Sequence, residues 1–168
     1  MRRDQGFTFI EMLIALTIMA FVVTGISLLY LSGYQSYARE SDRIEVQENL
    51  RIAAARMAFK IKQAKPDTII PENLDEVPSS HIEFTLSFND KSSGYRLDKK
   101  EGEKKGEIEE KIEGTGGYTW LPVTSRVITK LVFTREGNSI TITIEGEKGK
   151  SEKVRLSTEV NLRVGESG

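Results

Sequence analysis

The sequence predicts an α+β protein. One long N-terminal helix, apolar all round in its first half and amphipathic in its second, precedes a head of antiparallel β-strands packed on the amphipathic half. Three observations lead there. No charged side chain occurs from Met12 to Ala38, in a chain of which 29% is charged. Neither proline nor glycine interrupts residues 39–64, which keep a helical apolar period. Beyond Pro71 the apolar period changes to two, the spacing of half-buried strands.

The first element is a membrane span. Met12–Leu31 is charge-free and apolar enough to span a bilayer, since roughly 20 such residues cross a hydrocarbon core of ~30 Å. A cleaved secretory signal fits less well, since its apolar region runs about 7–15 residues and ends at a small-residue cleavage site. Here the run is longer, and Gly25, Ser27, Ser32 and Gly33 are scattered without an Ala-x-Ala pattern. Arg2 and Arg3 precede the span, which keeps the N-terminus cytoplasmic and sends the rest outward in a single pass. Glu11 is an ionisable residue inside the apolar stretch. Such a residue marks a functional site, or else it is a boundary carboxylate favoured by the positive end of the helix.

The second half of the helix carries its own pattern. Val46, Leu50, Ala53, Met57, Ile61 and Ala64 follow at steps of 4, 3, 4, 4 and 3, one face of a helix. Glu40, Arg43, Gln47, Arg51, Lys60 and Lys62 fall mainly on other faces. Lys65-Pro66 ends the pattern, because the residue before proline is pushed out of the helical region. A helix from Phe7 to Ala64 would measure ~87 Å, with Gly25 and Gly33 as its places to bend.

The strands come next. Ile82, Phe84, Leu86 and Phe88 alternate with polar residues, as do Ile140, Ile142 and Ile144, and then Val154, Leu156, Thr158, Val160, Leu162 and Val164. Val127–Thr134 is a further strand, joined to Ile140 through Gly137-Asn138, and residues 146–150 make the next turn. Short strands without intervening helical patterns predict an antiparallel sheet with one face on the amphipathic helix. The charged, glycine-punctuated stretch from Asp90 to Gly117 reads as a solvated hairpin or mobile loop, and Trp120, beside Tyr118 and Pro122, as a packing residue.

Composition narrows the chemistry. The 168 residues carry 24 basic and 25 acidic side chains, a net charge of −1, so no global field favours nucleic acid. The basic residues of the charged stretch are interleaved with acids and make a poor phosphate track. Without cysteine there is no disulfide, thiolate metal site or cysteine nucleophile. His81 is the only histidine, which rules out a two-histidine metal site; it reads as a strand-edge or surface residue. No nucleophile–base pair, phosphate loop or carboxylate constellation stands out, so no catalytic residue, metal ligand or cofactor is expected and the chain is not read as an enzyme.

The run Gly6-Phe7-Thr8-Phe9-Ile10-Glu11-Met12-Leu13-Ile14-Ala15-Leu16 resembles the processing and methylation signature of type IV prepilins and type II secretion pseudopilins. The resemblance implies a leader at 1–6, a membrane and filament-core half-helix at 7–38, and a periplasmic or extracellular head at 39–168. It implies that a prepilin peptidase cuts between Gly6 and Phe7, that Phe7 is N-methylated, and that Glu11, fifth in the mature chain, meets the cationic terminus of a neighbouring subunit. Glycine suits the cut because a side chain would block close backbone approach. Val46-Gln47-Glu48-Asn49-Leu50-Arg51, with the later Lys60-Ile61-Lys62, resembles PilW-type minor pilins and J-type minor pseudopilins. The implied role is a minor pilin that helps initiate a cell-surface filament. Its partners would be the peptidase, other pilin subunits, an inner-membrane assembly platform and membrane lipid. A minor pseudopilin of a secretion or DNA-uptake machine, a major pilin, and a singly anchored extracellular enzyme or binding module are the alternatives; the register of Gly6 with Glu11 speaks against the last.

Overall fold

The computed structural model describes residues 8–114 and 117–163. The chain divides into two compact units, Met1–Glu40 and Ser41–Gly168. α1 runs from Phe9 to Ile61, 53 residues, and continues without interruption through Gly25 and Gly33.

In the first unit every residue from Thr8 to Glu40 is exposed. The hydroxyls of Thr17, Thr24 and Ser27 donate to the carbonyls of Leu13, Ala20 and Val23, each at 2.8 Å. A hydroxyl in hydrocarbon finds no water, so a bond to its own helix removes that cost. The threonine and serine hydroxyls of the span are thus satisfied by its own backbone.

In the second unit α1 buries Val46, Leu50, Ala53, Met57 and Ile61, the expected stripe, together with Ala54. The helix stops short of Ala64. Lys62 N–H still reaches the Ala58 carbonyl, but the N–H groups of Gln63 and Ala64 turn to Lys60 and Ile61, each at 3.0 Å. This tightening is common at helix ends, and Pro66, opening a short 3-10 turn at Pro66–Thr68, lacks the donor to continue. Ala64 stays buried by bridging to Leu86.

Seven strands form two antiparallel sheets where the sequence suggested one. β1 (His81–Thr85), β2 (Ser92–Asp98), β3 (Glu107–Gly114) and β4 (Gly117–Pro122) lie in the order β1-β2-β3-β4. β5 (Ile128–Glu136), β6 (Ser139–Gly146) and β7 (Val154–Asn161) form the other, in the order β5-β6-β7. Bridges from Ser79 to Phe133 and from Gly106 to Ile128 join the two. The β5–β6 turn uses Gly137 at φ +57°, a conformation open to glycine without a Cβ clash. A shared core includes Phe84, Tyr95 and Phe133 beneath the α1 stripe.

Two expectations need correction. Of the solvated hairpin or mobile loop expected at 90–117, a hairpin forms, but it is solvated on one face alone: β2 and β3 occupy most of the stretch, its tip at Lys99–Lys104 is exposed, and Ser93, Tyr95, Ile108 and Glu110 are buried. These strands lack an apolar alternation because their inward positions include Ser93 and Glu110 beside Tyr95 and Ile108. Phe88 does not continue the inward register of β1. The strand ends at Thr85, Leu86 N–H bonds back to the Lys91 carbonyl at 3.0 Å, and Phe88 is 68% exposed.

Candidate functional site

Of the residues singled out at the N-terminus, Gly6 and Phe7 lie outside the described residues, and Glu11 sits in the first turn of α1. Its carboxylate closes a reciprocal cap with Thr8. Thr8 donates to Glu11 Oε2 twice, from its backbone N–H and from its hydroxyl, each at 2.8 Å. Glu11 N–H in turn points at Thr8 Oγ1, 3.4 Å away. This is a capping box, threonine followed three residues on by glutamate, and it satisfies helix-start donors that have no partner within the helix. The signal stood in the sequence as Thr8-Phe9-Ile10-Glu11, and it gives the boundary-carboxylate reading of Glu11 its partner, Thr8. A carboxylate held this way meets two needs at once: it closes the helix start, and it places one negative charge near the chain terminus.

Elsewhere the charged groups are engaged with one another. Glu110, which falls in the stretch read from sequence as a solvated hairpin or mobile loop, is completely buried. Arg56 Nε approaches its Oε2 at 2.7 Å and Lys60 Nζ pairs with its Oε1, so one β3 carboxylate binds two cations of α1. Tyr95 lies beside this cluster, its hydroxyl donating to the Arg56 carbonyl at 3.4 Å. Burial first, and then the Glu110 charge, hold the Tyr95 phenol well above its ordinary range. Arg56 and Glu110 escaped the sequence reading because a buried acid inside a charge run has no periodic signature.

The outward face of the first sheet is a ladder of paired charges. Lys111 on β3 reaches Glu83 on β1 at 2.6 Å, across Gly94 of the intervening strand. A Cβ at Gly94 would lie 2.7 Å from the Ile82 carbonyl oxygen and 2.9 Å from Glu83 Cγ, so only glycine leaves this crossing open. Arg96 pairs with Glu109 at 2.7 Å and stacks over Trp120, 4.3 Å from the ring centroid. Trp120 is thus a packing residue, as expected. Asp98, Glu107 and Glu109 come close enough together to hold a metal ion. Their cations in this fold are guanidinium groups: Arg126 on Asp98 and Glu107 at 2.9 and 3.2 Å, and Arg96 on Glu109. His81 opens β1, half exposed.

No curated protein and no solved structure matches this chain. Residues 1–27 match the prokaryotic N-terminal methylation motif. That match spans the capping box and most of the uncovered apolar run, so the chain is type IV prepilin-like in its N-terminal region, where α1 is long and apolar enough to cross a membrane.

Proposed function

We propose that the chain is a filament subunit: held in the membrane by its apolar half-helix, cut by prepilin peptidase between Gly6 and Phe7, methylated on the Phe7 amine, and then packed among other pilin subunits. One observation carries this reading. Among the described residues nothing covers the apolar side chains from Phe9 to Leu31, and Glu11 is the only charge among residues 8–38. Such a surface requires another apolar medium, lipid first and neighbouring helices after assembly. Within a helix bundle the Glu11 carboxylate needs a cation as well as its cap, and a neighbour's Phe7 amine supplies one. The resemblance to PilW-type subunits supports a minor role near the initiating end of the filament, delivered through an inner-membrane assembly platform.

The test has two arms. Mass spectrometry of the membrane-extracted protein finds a methylated Phe7 terminus, and Gly6→Leu leaves full-length precursor; an intact Met1 terminus in the wild-type chain overturns the processing step. Glu11→Val is inserted and cut as the wild type is, yet is depleted from sheared filaments. Normal incorporation of Glu11→Val overturns the intersubunit pairing. Counting this chain against the most abundant subunit in the same sheared fraction decides its rank, since near-equal abundance removes the minor role.

A further inference from the structure

Each sheet has two edges, and the head closes one edge of each. The outer edge of β1 is covered by the chain from Ala64 to Ile70, which bridges to Leu86 and Glu83. The outer edge of β5 is covered by Ser79 and Gly106. Among the described residues, β4 and β7 have no partner on their outer sides. The two open edges differ in chemistry. β7 carries Arg155 and Glu159 on its exposed side, the charged kind of edge that resists pairing with an arbitrary strand. β4, Gly-Tyr-Thr-Trp-Leu-Pro, has no charge at all in a strongly charged protein, and it leaves Tyr118 53% and Leu121 47% exposed. An uncharged, apolar, exposed edge is an aggregation hazard unless a specific strand occupies it.

We infer that β4 is an acceptor edge for β7 of a second copy of this chain, so that heads join edge to edge, head to tail. Three features select this occupant. The patterns match: β7 alternates Leu156, Thr158 and Val160 with Arg155, Ser157 and Glu159, so its apolar set can lie beside Thr119 and Leu121 while its polar set lies beside Tyr118 and Trp120. That polar side already stacks cations on aromatics, Arg96 on Trp120 and Lys111 on Tyr118 at 4.3 and 4.5 Å, and Arg155 extends the arrangement. Symmetry decides the third point. Pairing β4 with β4 closes a two-fold dimer, whereas β4 with β7 is heterologous and leaves one of each edge free to continue. Only the second suits a polar filament, so the inference rests on the filament reading above; a short series of copies at the initiating end is consistent with a minor subunit.

The chain has no cysteine, so introduced thiols report without background. Full-length Thr119→Cys and Thr158→Cys chains are produced together and separately in cells that make the protein, then treated with a short thiol-directed cross-linker that tolerates a register offset. A dimer that forms when the two are mixed and is absent from either alone is the expected result. No mixed dimer, with both cysteines shown accessible by maleimide labelling, overturns the inference. So does an equal yield from Thr119→Cys alone, which means that β4 pairs with itself. Adding Leu121→Lys to the Thr119→Cys chain should reduce the mixed dimer to background without changing the melting temperature; an undiminished dimer counts against β4 as the acceptor. The cysteine-free chain is scored in the sheared filament fraction of the same cells. Its absence there with the dimer present removes the filament reading and keeps the edge pairing, and its presence there without the dimer does the reverse.

Discussion

The two stretches of α1 carry similar apolar content to opposite ends. From Thr8 to Glu40 no side chain is buried, and the helix satisfies its own hydroxyls through Thr17, Thr24 and Ser27. From Val46 to Ile61 one stripe is buried completely against strands, and the polar groups beside it find partners on those strands, as Arg56 and Lys60 do on Glu110. The difference lies in the solvent each stretch is built for. A helix apolar all round has no preferred face and waits for a medium, whereas an amphipathic one chooses its face and makes its own core. Stability of the head should therefore depend on the second stretch alone, and membrane retention and assembly on the first.

The largest expected effect comes from removing the second stretch. A chain beginning near Tyr37 keeps the stripe and should be soluble and folded, while one beginning at Ile69 exposes the faces that Leu50, Met57 and Ile61 cover and should aggregate. Equal solubility and equal thermal unfolding of the two would break the comparison. A single side-chain truncation sharpens it. Leu50→Ala should cost the head about 2–5 kcal/mol, seen as a lower denaturation midpoint, because Leu50 is fully buried. The same change at the exposed Leu16 should leave that midpoint where it is.

A smaller loss is expected at the buried carboxylate. Glu110→Ala leaves Arg56 and Lys60 facing a site without their counter-charge and should cost about 3 kcal/mol, at the lower end for such pairs because both cations are partly exposed. A double-mutant cycle with Lys60→Met measures the coupling; additive effects would show that the pair adds nothing beyond packing. The smallest effect is alkaline. Tyr95 has its folded pKa raised above the ordinary 10.0, so above that pH the unfolded chain releases a proton that the folded chain keeps, and stability falls as pH rises. Tyr95→Phe should change stability at neutral pH by less than about 1 kcal/mol and flatten the decline above pH 10.0 relative to the wild type. Parallel alkaline profiles for the two proteins would mean that the Tyr95 proton is not coupled to folding.

What was legible in the residues, and what was not, follows from the range of the forces involved. The span, the α1 stripe and strands β5 to β7 could be read directly, because a helix in lipid or a strand on a core imposes its period on consecutive residues. The prepilin-like N-terminal motif was legible for a related reason: a motif needs a few residues in strict register, and Thr8-Phe9-Ile10-Glu11 contained the cap as well. β2 and β3 were hidden, since their inward positions hold Ser93 and Glu110, which no periodicity marks as buried. Whether Glu110 could be buried depended on Arg56 and Lys60 lying opposite it, and whether Lys111 could reach Glu83 depended on Gly94 lying between them. The sequence alone thus determined where the chain is apolar and where it carries the N-terminal motif. Tertiary structure alone decided how many sheets form, which charges are buried, and which strand edges stay open, because these depend on contacts between residues far apart in the chain, and local pattern carries no record of them.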